Sequence, residues 1–428
     1  MVALLYSAVI VILAGSLIRF KENDLYLRLA LYYLAGTVIL SLYMLALSII
    51  GIPYSILSIS LPFILYFIFS PGQWKEIKLP SFSFDLKFAL LLLIISMVFL
   101  AMLSTTFTLP VFRADALGGW VFRAKVFFIE KRVALDVFRD KVFCNTADYP
   151  SLVPLNLAWI STCLGRWDDT SVKIFFALQY LAAIIIFYYA LKQTKVNNVI
   201  SLASTLIVFT IPNLLTNLDI AYVDASMSYY VLASAIFLYR WSISKNLHEL
   251  LISSFFIGAS AWTKNDGIGL VIAMLLTLVV MKAKVRDIAA YALTACAIFI
   301  PYKLLTAYYA IGTHMMPDQN IIMNIVRLPT ILYWYFHEFF LNAYYWQYFW
   351  LLLFILFIVF RKKLLSSNLK YLIFFFLLSL AIYLSVYLIA PEKVYLFLYN
   401  TADRLLLGLA PAIAFAIFAG SFAQERSQ

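Results

Sequence analysis

Ser151 to Gly165 reads SLVPLNLAWISTCLG, and whether this stretch crosses a bilayer decides the topology of the chain around it. It is apolar but only about fifteen residues long, which at 1.5 Å per residue falls short of a hydrocarbon core of about 30 Å. Charge settles the matter. If the stretch does not cross, Lys192/Lys195, Arg240/Lys245, Lys282/Lys284/Arg286 and Arg361/Lys362/Lys363 share one face with Arg19/Lys21/Arg28 and Lys75/Lys78. That is the distribution the positive-inside rule favours. If it does cross, the early and late clusters fall on opposite faces. We therefore expect a helix lying in the outer interface, with the N-terminus outside, the C-terminus cytoplasmic, and both long connections (110–170 and 307–345) facing out.

The rest of the chain makes that question worth asking. Apolar residues are 64% of the 428, charged residues 12%, and mean hydropathy is +0.93. A soluble domain carries about twice that charge. Continuous apolar runs recur from end to end, and lipid offers the backbone no partners, so they read as helices rather than strands of a barrel. Thirteen crossings are expected, over 2–19, 27–50, 53–70, 88–109, 171–191, 199–212, 221–240, 250–263, 266–281, 288–306, 346–360, 369–390 and 405–422. The expectation is a single all-α polytopic domain over 1–428 in the plasma or inner membrane.

Several function classes recede at once. The first run follows Met1 with no basic residue before it and no small-residue cleavage site, so it reads as a retained helix. The net charge of +11 is scattered over short loops, which suits orientation and anionic lipid contacts better than nucleic acid. Cys144, Cys163 and Cys296 lack metal-ligand spacing, although Cys144 and Cys163 could pair. No phosphate-cradling glycine loop, zinc motif or nucleophile elbow is present, which argues against nucleotide-driven chemistry.

The charges that break the pattern carry the functional signal. The first outer loop holds Arg113, Arg123, Lys125, Lys131, Arg132, Arg139 and Lys141, with Asp115 five residues past Pro110. A long loop can translocate whatever its charge; the sharper reading is a site for a phosphate. Asp224 in Ala221-Tyr-Val-Asp-Ala225, Lys264 in Trp262-Thr-Lys-Asn-Asp266-Gly267, and Arg404 in Asn400-Thr-Ala-Asp-Arg404 sit at the expected outer ends of helices. Charges at membrane depth are usually paired or functional, with snorkelling as the plainer explanation. Tyr333 to Trp350 is dense in aromatics, which suits an interfacial belt or a groove for a sugar or lipid tail. His314 and His337 lie on the same loop and take no role.

In order, these motifs are an Asp after a helix, Trp120-Val-Phe-Arg-Ala-Lys125, Tyr149-Pro-Ser-Leu-Val-Pro154, Tyr222-Val-Asp224, Trp262 to Gly267, Asp403-Arg404 and Pro411. The series resembles the GT-C superfamily of integral-membrane glycosyltransferases, in the branch of the protein O-mannosyltransferases and the aminoarabinose transferase of lipid A. The likeness runs from about residue 88 onward. It implies a GT-C-like core over 88–306, extra N-terminal helices over 1–87, and a second outer loop with C-terminal helices over 307–428. It also implies juxtamembrane helices in the first outer loop, with Tyr149 to Pro154 matching one of them.

What the resemblance implies chemically is sugar transfer from a polyprenyl phosphate on the extracytoplasmic face, with inversion, to a hydroxyl of a glycan, lipid or protein. Asp115 would be the catalytic base. Lys264, Arg404, Arg123 and Lys125 would hold the donor phosphate, and Asp224, Trp120, Tyr149 and Asp266 would position substrate. No cofactor is required, though Asp115 and Asp224 could share a divalent cation; membrane lipids are partners and nucleic acid is not. Asp115 is followed by Ala116 where several relatives have a second acid, and no sizeable soluble domain follows the helices, so acceptor choice falls to the loops. A transporter or flippase of a lipid-linked or anionic solute, a non-catalytic subunit of a glycan-assembly complex, and an enzyme joining whole oligosaccharides remain open.

Overall fold

The computed structural model describes residues 1–70, 85–138, 144, 146–312, 323–390 and 393–424. Lys75, Lys78, Arg139, Lys141 and His314 lie outside these residues. The described chain is all-helical: α1 (Val2–Gly15), α2 (Leu25–Ile49), α3 (Ile56–Phe69), α4 (Leu86–Thr108), α5 (Val121–Glu130) and α6 (Leu152–Leu164). Then come α7 (Ile174–Gln193), α8 (Asn198–Phe209), α9 (Pro212–Asp219), α10 (Val223–Ser244), α11 (Leu247–Thr263), α12 (Asp266–Val280) and α13 (Val285–Tyr308). The last six are α14 (Leu328–Phe336), α15 (Ala343–Trp346), α16 (Phe349–Ser366), α17 (Lys370–Ile389), α18 (Val394–Leu407) and α19 (Ala410–Phe422). This is a polytopic membrane protein.

By length and composition, five described helices are able to cross: α2, α4, the run Ser171–Gln193, α13 and α17. Two more spans form only if bent pairs are counted, α8 with α9 (59°) and α18 with α19 (44°). These bends correct two of the expected crossings. The run 199–212 is not one helix, because Pro212 has no N–H for the ladder and pushes the residue before it out of helical geometry. The run 405–422 breaks at Gly408-Leu409, with Pro411 in the first turn of α19, where its fixed φ suits a helix start. Arg404 therefore belongs to the last turn of α18 and does not open the final helix.

Contacts divide the chain into two compact units. The first comprises Met1–Ile186, Leu218–Ser226 and Ile300–Gly312; the second comprises Phe187–Asn217, Met227–Phe299 and Thr313–Gln428.

In the first unit α1 and α2 touch backbone to backbone. A Cβ on Gly15 would stand 1.8 Å from the Tyr32 carbonyl oxygen, and one on Gly36 1.8 Å from that of Val11. Small residues let membrane helices approach this closely. Gly36→Ala is expected to force the pair apart and cost about 1–3 kcal/mol, read as a lower thermal midpoint. Gly118→Ala, with nothing within 4 Å of its Cβ, is the control and should leave the midpoint nearly unchanged.

Helix α6, the deciding stretch of the sequence, is thirteen residues long, about 20 Å. It is too short to cross, yet it does not lie on the surface as an interfacial helix would. Ten of its residues are buried, because a helix apolar all round needs cover on every side. Packing against α1, α2 and α5 supplies that cover. Asn156 Nδ2 donates to the Thr37 carbonyl (2.9 Å), and the Trp159 indole N–H donates to the Ser7 carbonyl (3.2 Å). α1 and α2, from the stretch expected as an addition ahead of the core, thus pack on this helix of the first long loop.

In the second unit several basic residues gather at one end, around the starts and ends of its helices. There Lys363 Nζ donates to the Ala423 carbonyl (2.6 Å), Gln424 N to the Lys195 carbonyl (3.4 Å), Asn368 to the Ser242 carbonyl (3.1 Å) and Arg240 to Gln193. α17 starts at this basic end. Tyr387 lies about 25 Å further along its axis.

Candidate active site

The first unit brings the two loop motifs together. Pro110 ends α4, a single helical turn carries Asp115, and a π-helical turn, Ala116–Trp120, leads into α5. Asp115 and Lys125 are exposed. Trp120 is buried, its ring edge-on to Tyr149 at 5.3 Å. The Arg123 guanidinium lies 5.3 Å from the centre of the Trp120 ring.

Arg123 corrects its expected role as a phosphate ligand. It is fully buried and donates to the carbonyls of Tyr149 and Pro150 (3.0 Å for Pro150) and to the Tyr302 hydroxyl (3.2 Å). Tyr302 in turn donates to the Ala147 carbonyl (3.1 Å), and Lys303 Nζ to that of Asp148 (3.1 Å). The guanidinium fork satisfies carbonyls that would otherwise lack donors, so Arg123 positions the Tyr149-Pro150-Ser151 corner. Arg123→Met should leave those carbonyls unsatisfied, at about 1–3 kcal/mol each, and Arg123→Lys should rescue little because an ammonium lacks the planar fork. Thermal unfolding of both variants checks this.

A second cluster in the same unit was not legible in the sequence. Lys173, buried at the start of the α7 span, donates to the carbonyls of Thr105 (3.3 Å) and Asp219 (3.4 Å), while the Thr105 hydroxyl donates to the Asp219 carboxylate (2.5 Å). Asp224 follows in the first turn of α10 with no exposure. Before α7, Asp168 accepts from the Thr170 hydroxyl (2.7 Å) and from Ser171. These bonds, the Thr170 hydroxyl foremost, hold its carboxyl down at about 2.

In the second unit Lys264 and Asp266 form an ion pair of 2.6 Å, with side chains 7% and 26% exposed. The cation is thus largely enclosed and its partner still meets solvent. The turn between α11 and α12 is tight because Gly267 lies against the Ser260–Ala261 backbone, where a Cβ would stand 2.3 Å from the Ser260 carbonyl carbon. Asp266 and Asp403 are both within electrostatic reach of Tyr387, whose hydroxyl bonds Thr401 (2.9 Å). Asn213 donates to the Asp403 carbonyl (3.1 Å), tying the α9 half-helix to the α18 half-helix. Arg404 is half-buried beside Asp403. Asp115, Trp120, Arg123, Lys125, Tyr149 and Asp224 belong to the first unit; Lys264, Asp266 and Arg404 belong to the second.

Glu338 is a further residue that sequence reasoning missed. It is buried in a π-helical turn, and its carboxylate accepts from Asn342 Nδ2 (2.9 and 3.1 Å) and the Trp346 indole N–H (2.9 Å). The cysteine pair expected as an option is absent: Cys144, Cys163 and Cys296 are all free. Among the described residues no group of three His, Cys, Asp or Glu side chains is placed to hold a metal ion.

No curated protein and no solved structure matches the chain. A family model does match, over residues 148–305. That stretch includes Tyr149, Asp224, Lys264 and Asp266, and leaves Asp115, Trp120, Arg123, Lys125 and Arg404 outside it. The family is described as dolichyl-phosphate-mannose-protein mannosyltransferase, so in its central third and more this chain is similar to the protein O-mannosyltransferase branch of the GT-C membrane glycosyltransferases.

Proposed function

We propose that this chain is an inverting glycosyltransferase that moves a sugar from a polyprenyl phosphate to an acceptor hydroxyl on the extracytoplasmic face of the membrane. The observation that carries this reading is the family match, which spans the pair of buried Lys264 and partly exposed Asp266 at a helix turn. An enclosed lysine beside a carboxylate is an anion site with its own counter-charge in place. The end of the second unit that bears this pair is then the outer one, and the basic end faces the cytoplasm.

In this scheme Asp115 takes the proton of the acceptor hydroxyl as that oxygen attacks the anomeric carbon. The bond from that carbon to the phosphate oxygen breaks, and the electron pair leaves with the lipid phosphate. Lys264, Arg404 and Lys125 stabilise the charge that grows there. Asp266 orients Lys264; Asp224 orients a sugar hydroxyl or a neighbouring cation. Trp120 and Tyr149, packed edge to face, shape the loop around the acceptor, and Arg123 holds that loop.

The two broken spans favour a second reading, since transporters build midplane sites from discontinuous helices. Purified protein in proteoliposomes, given a panel of polyprenyl-phosphate sugars and acceptor alcohols, separates the two. Transfer releases free polyprenyl phosphate from at least one donor. Sugar reaching the lumen with its lipid phosphate intact would mean transport, and consumption of no donor would remove the enzymatic reading.

A further inference from the structure

The second unit holds a cavity of about 250 Å³ where α8 breaks, lined among others by Thr210, Ile211, Trp346, Gln347, Tyr348 and Phe349. None of these residues has a part in the scheme above. The volume is that of about eight bulk waters, the room one hexose ring with its hydroxyls occupies.

The walls are mixed in a specific way. Of the aromatic lining residues Tyr348 is exposed (59%) and Trp346 and Phe349 are buried, while Thr210 and Gln347 give a hydroxyl and an amide. Thr210 spends its proton on the Leu206 carbonyl (2.8 Å), so its oxygen remains an acceptor. A sugar presents an apolar C–H face and a rim of hydroxyls, which suits both kinds of wall. An isoprenoid chain would leave the amide and the hydroxyl against hydrocarbon, which is unfavourable.

The cavity is also built rather than incidental. Gln347 and Tyr348 both take left-handed backbone conformations (φ 46° and 61°), unusual for consecutive non-glycine residues and concentrated at functional sites. That reversal sets the wall residues between α15 and α16. The Trp346 wall is fixed by its indole bond to buried Glu338, itself held by Asn342. The saturated Glu338 carboxylate thus positions Trp346.

We propose that this cavity is a subsite for one pyranose ring, with the exposed Tyr348 ring against its C–H face and Gln347 and Thr210 on its hydroxyls. The inference rests on the chain acting on sugars. The ring could belong to the donor or to an acceptor glycan; the chemistry is the same.

Ile207→Cys, in full-length protein in nanodiscs with Cys144, Cys163 and Cys296 changed to Ala, gives a thiol at the cavity rim for maleimide labelling without touching the proposed sugar ligands. The probes are methyl α-mannopyranoside, methyl β-glucopyranoside, polyprenyl-phosphate mannose and sugar-free polyprenyl phosphate. A pyranoside or the sugar-bearing donor should slow labelling, by about tenfold when it stands at ten times its Kd. Protection at lower concentration by the donor assigns the ring to the donor; better protection by the methyl glycosides assigns it to the acceptor. Leu352→Trp, which fills the cavity, should abolish protection while the protein keeps its thermal midpoint. Equal protection by sugar-free polyprenyl phosphate and donor, with none from the glycosides, would make this a lipid-chain groove and overturn the subsite, as would labelling that no probe slows. Since labelling needs no turnover, a failed transfer assay leaves this test intact.

Discussion

Asp115→Asn is expected to lower sugar transfer by about 10²–10⁴, the usual worth of general-base assistance, with the fold and donor affinity preserved. The side chain is exposed at the start of a helical turn, so an isosteric amide disturbs little packing. Asparagine accepts no proton at neutral pH, and attack then depends on an unassisted hydroxyl. Initial rates of lipid-phosphate release, beside donor binding by the same preparation, separate chemistry from binding. A variant that turns over at the wild-type rate would take Asp115 out of the base role.

Lys264→Met should weaken donor binding and slow transfer by a combined factor of about 10²–10³, the range seen when one pre-placed charge stabiliser is removed. Two effects add. The phosphate loses an enclosed cation, and the Asp266 carboxylate, 2.6 Å from the lost ammonium and 26% exposed, is left facing the anion alone. Lys264→Met combined with Asp266→Asn should therefore bind donor better than Lys264→Met by itself. Arg404→Ala should weaken binding of sugar-free polyprenyl phosphate in the same titration. Unchanged affinity in both single variants would show that the phosphate is held elsewhere.

The parts of the fold that depend on local composition were legible in the sequence. Long apolar runs gave helices, but among the described residues only five, or seven with the bent pairs, are long and apolar enough to cross, against thirteen expected; 151–165 is a short apolar helix as its length implied. Its burial was not legible, because cover by α1 and α2 depends on close approach at Gly15 and Gly36 from far upstream. The break at Thr210-Ile211-Pro212 was visible in principle, since Pro212 alone forbids a continuous ladder, but an averaged apolar window hides one residue. At the site, Lys264 stood out because a charge in an apolar stretch needs a reason. Arg123 misled because a loop cation looks solvated until its carbonyl partners, one of them 26 residues away, are known. Glu338 and the Lys173–Asp219 cluster share that cause: their partners are set by tertiary contact, which no spacing rule encodes.

Transfer of the kind proposed needs the loop that carries Asp115 and the turn that carries Lys264 both to meet the extracytoplasmic compartment. Asp115→Cys and Lys264→Cys, made separately in a background without other cysteines, can each be treated in sealed vesicles with a membrane-impermeant maleimide. Each thiol should label from the outer face, and the one at position 264 should be protected by polyprenyl phosphate. Thiols that label only from opposite faces, or a thiol at position 264 that polyprenyl phosphate does not protect, would contradict the proposed transfer and leave the helical bundle without this chemistry.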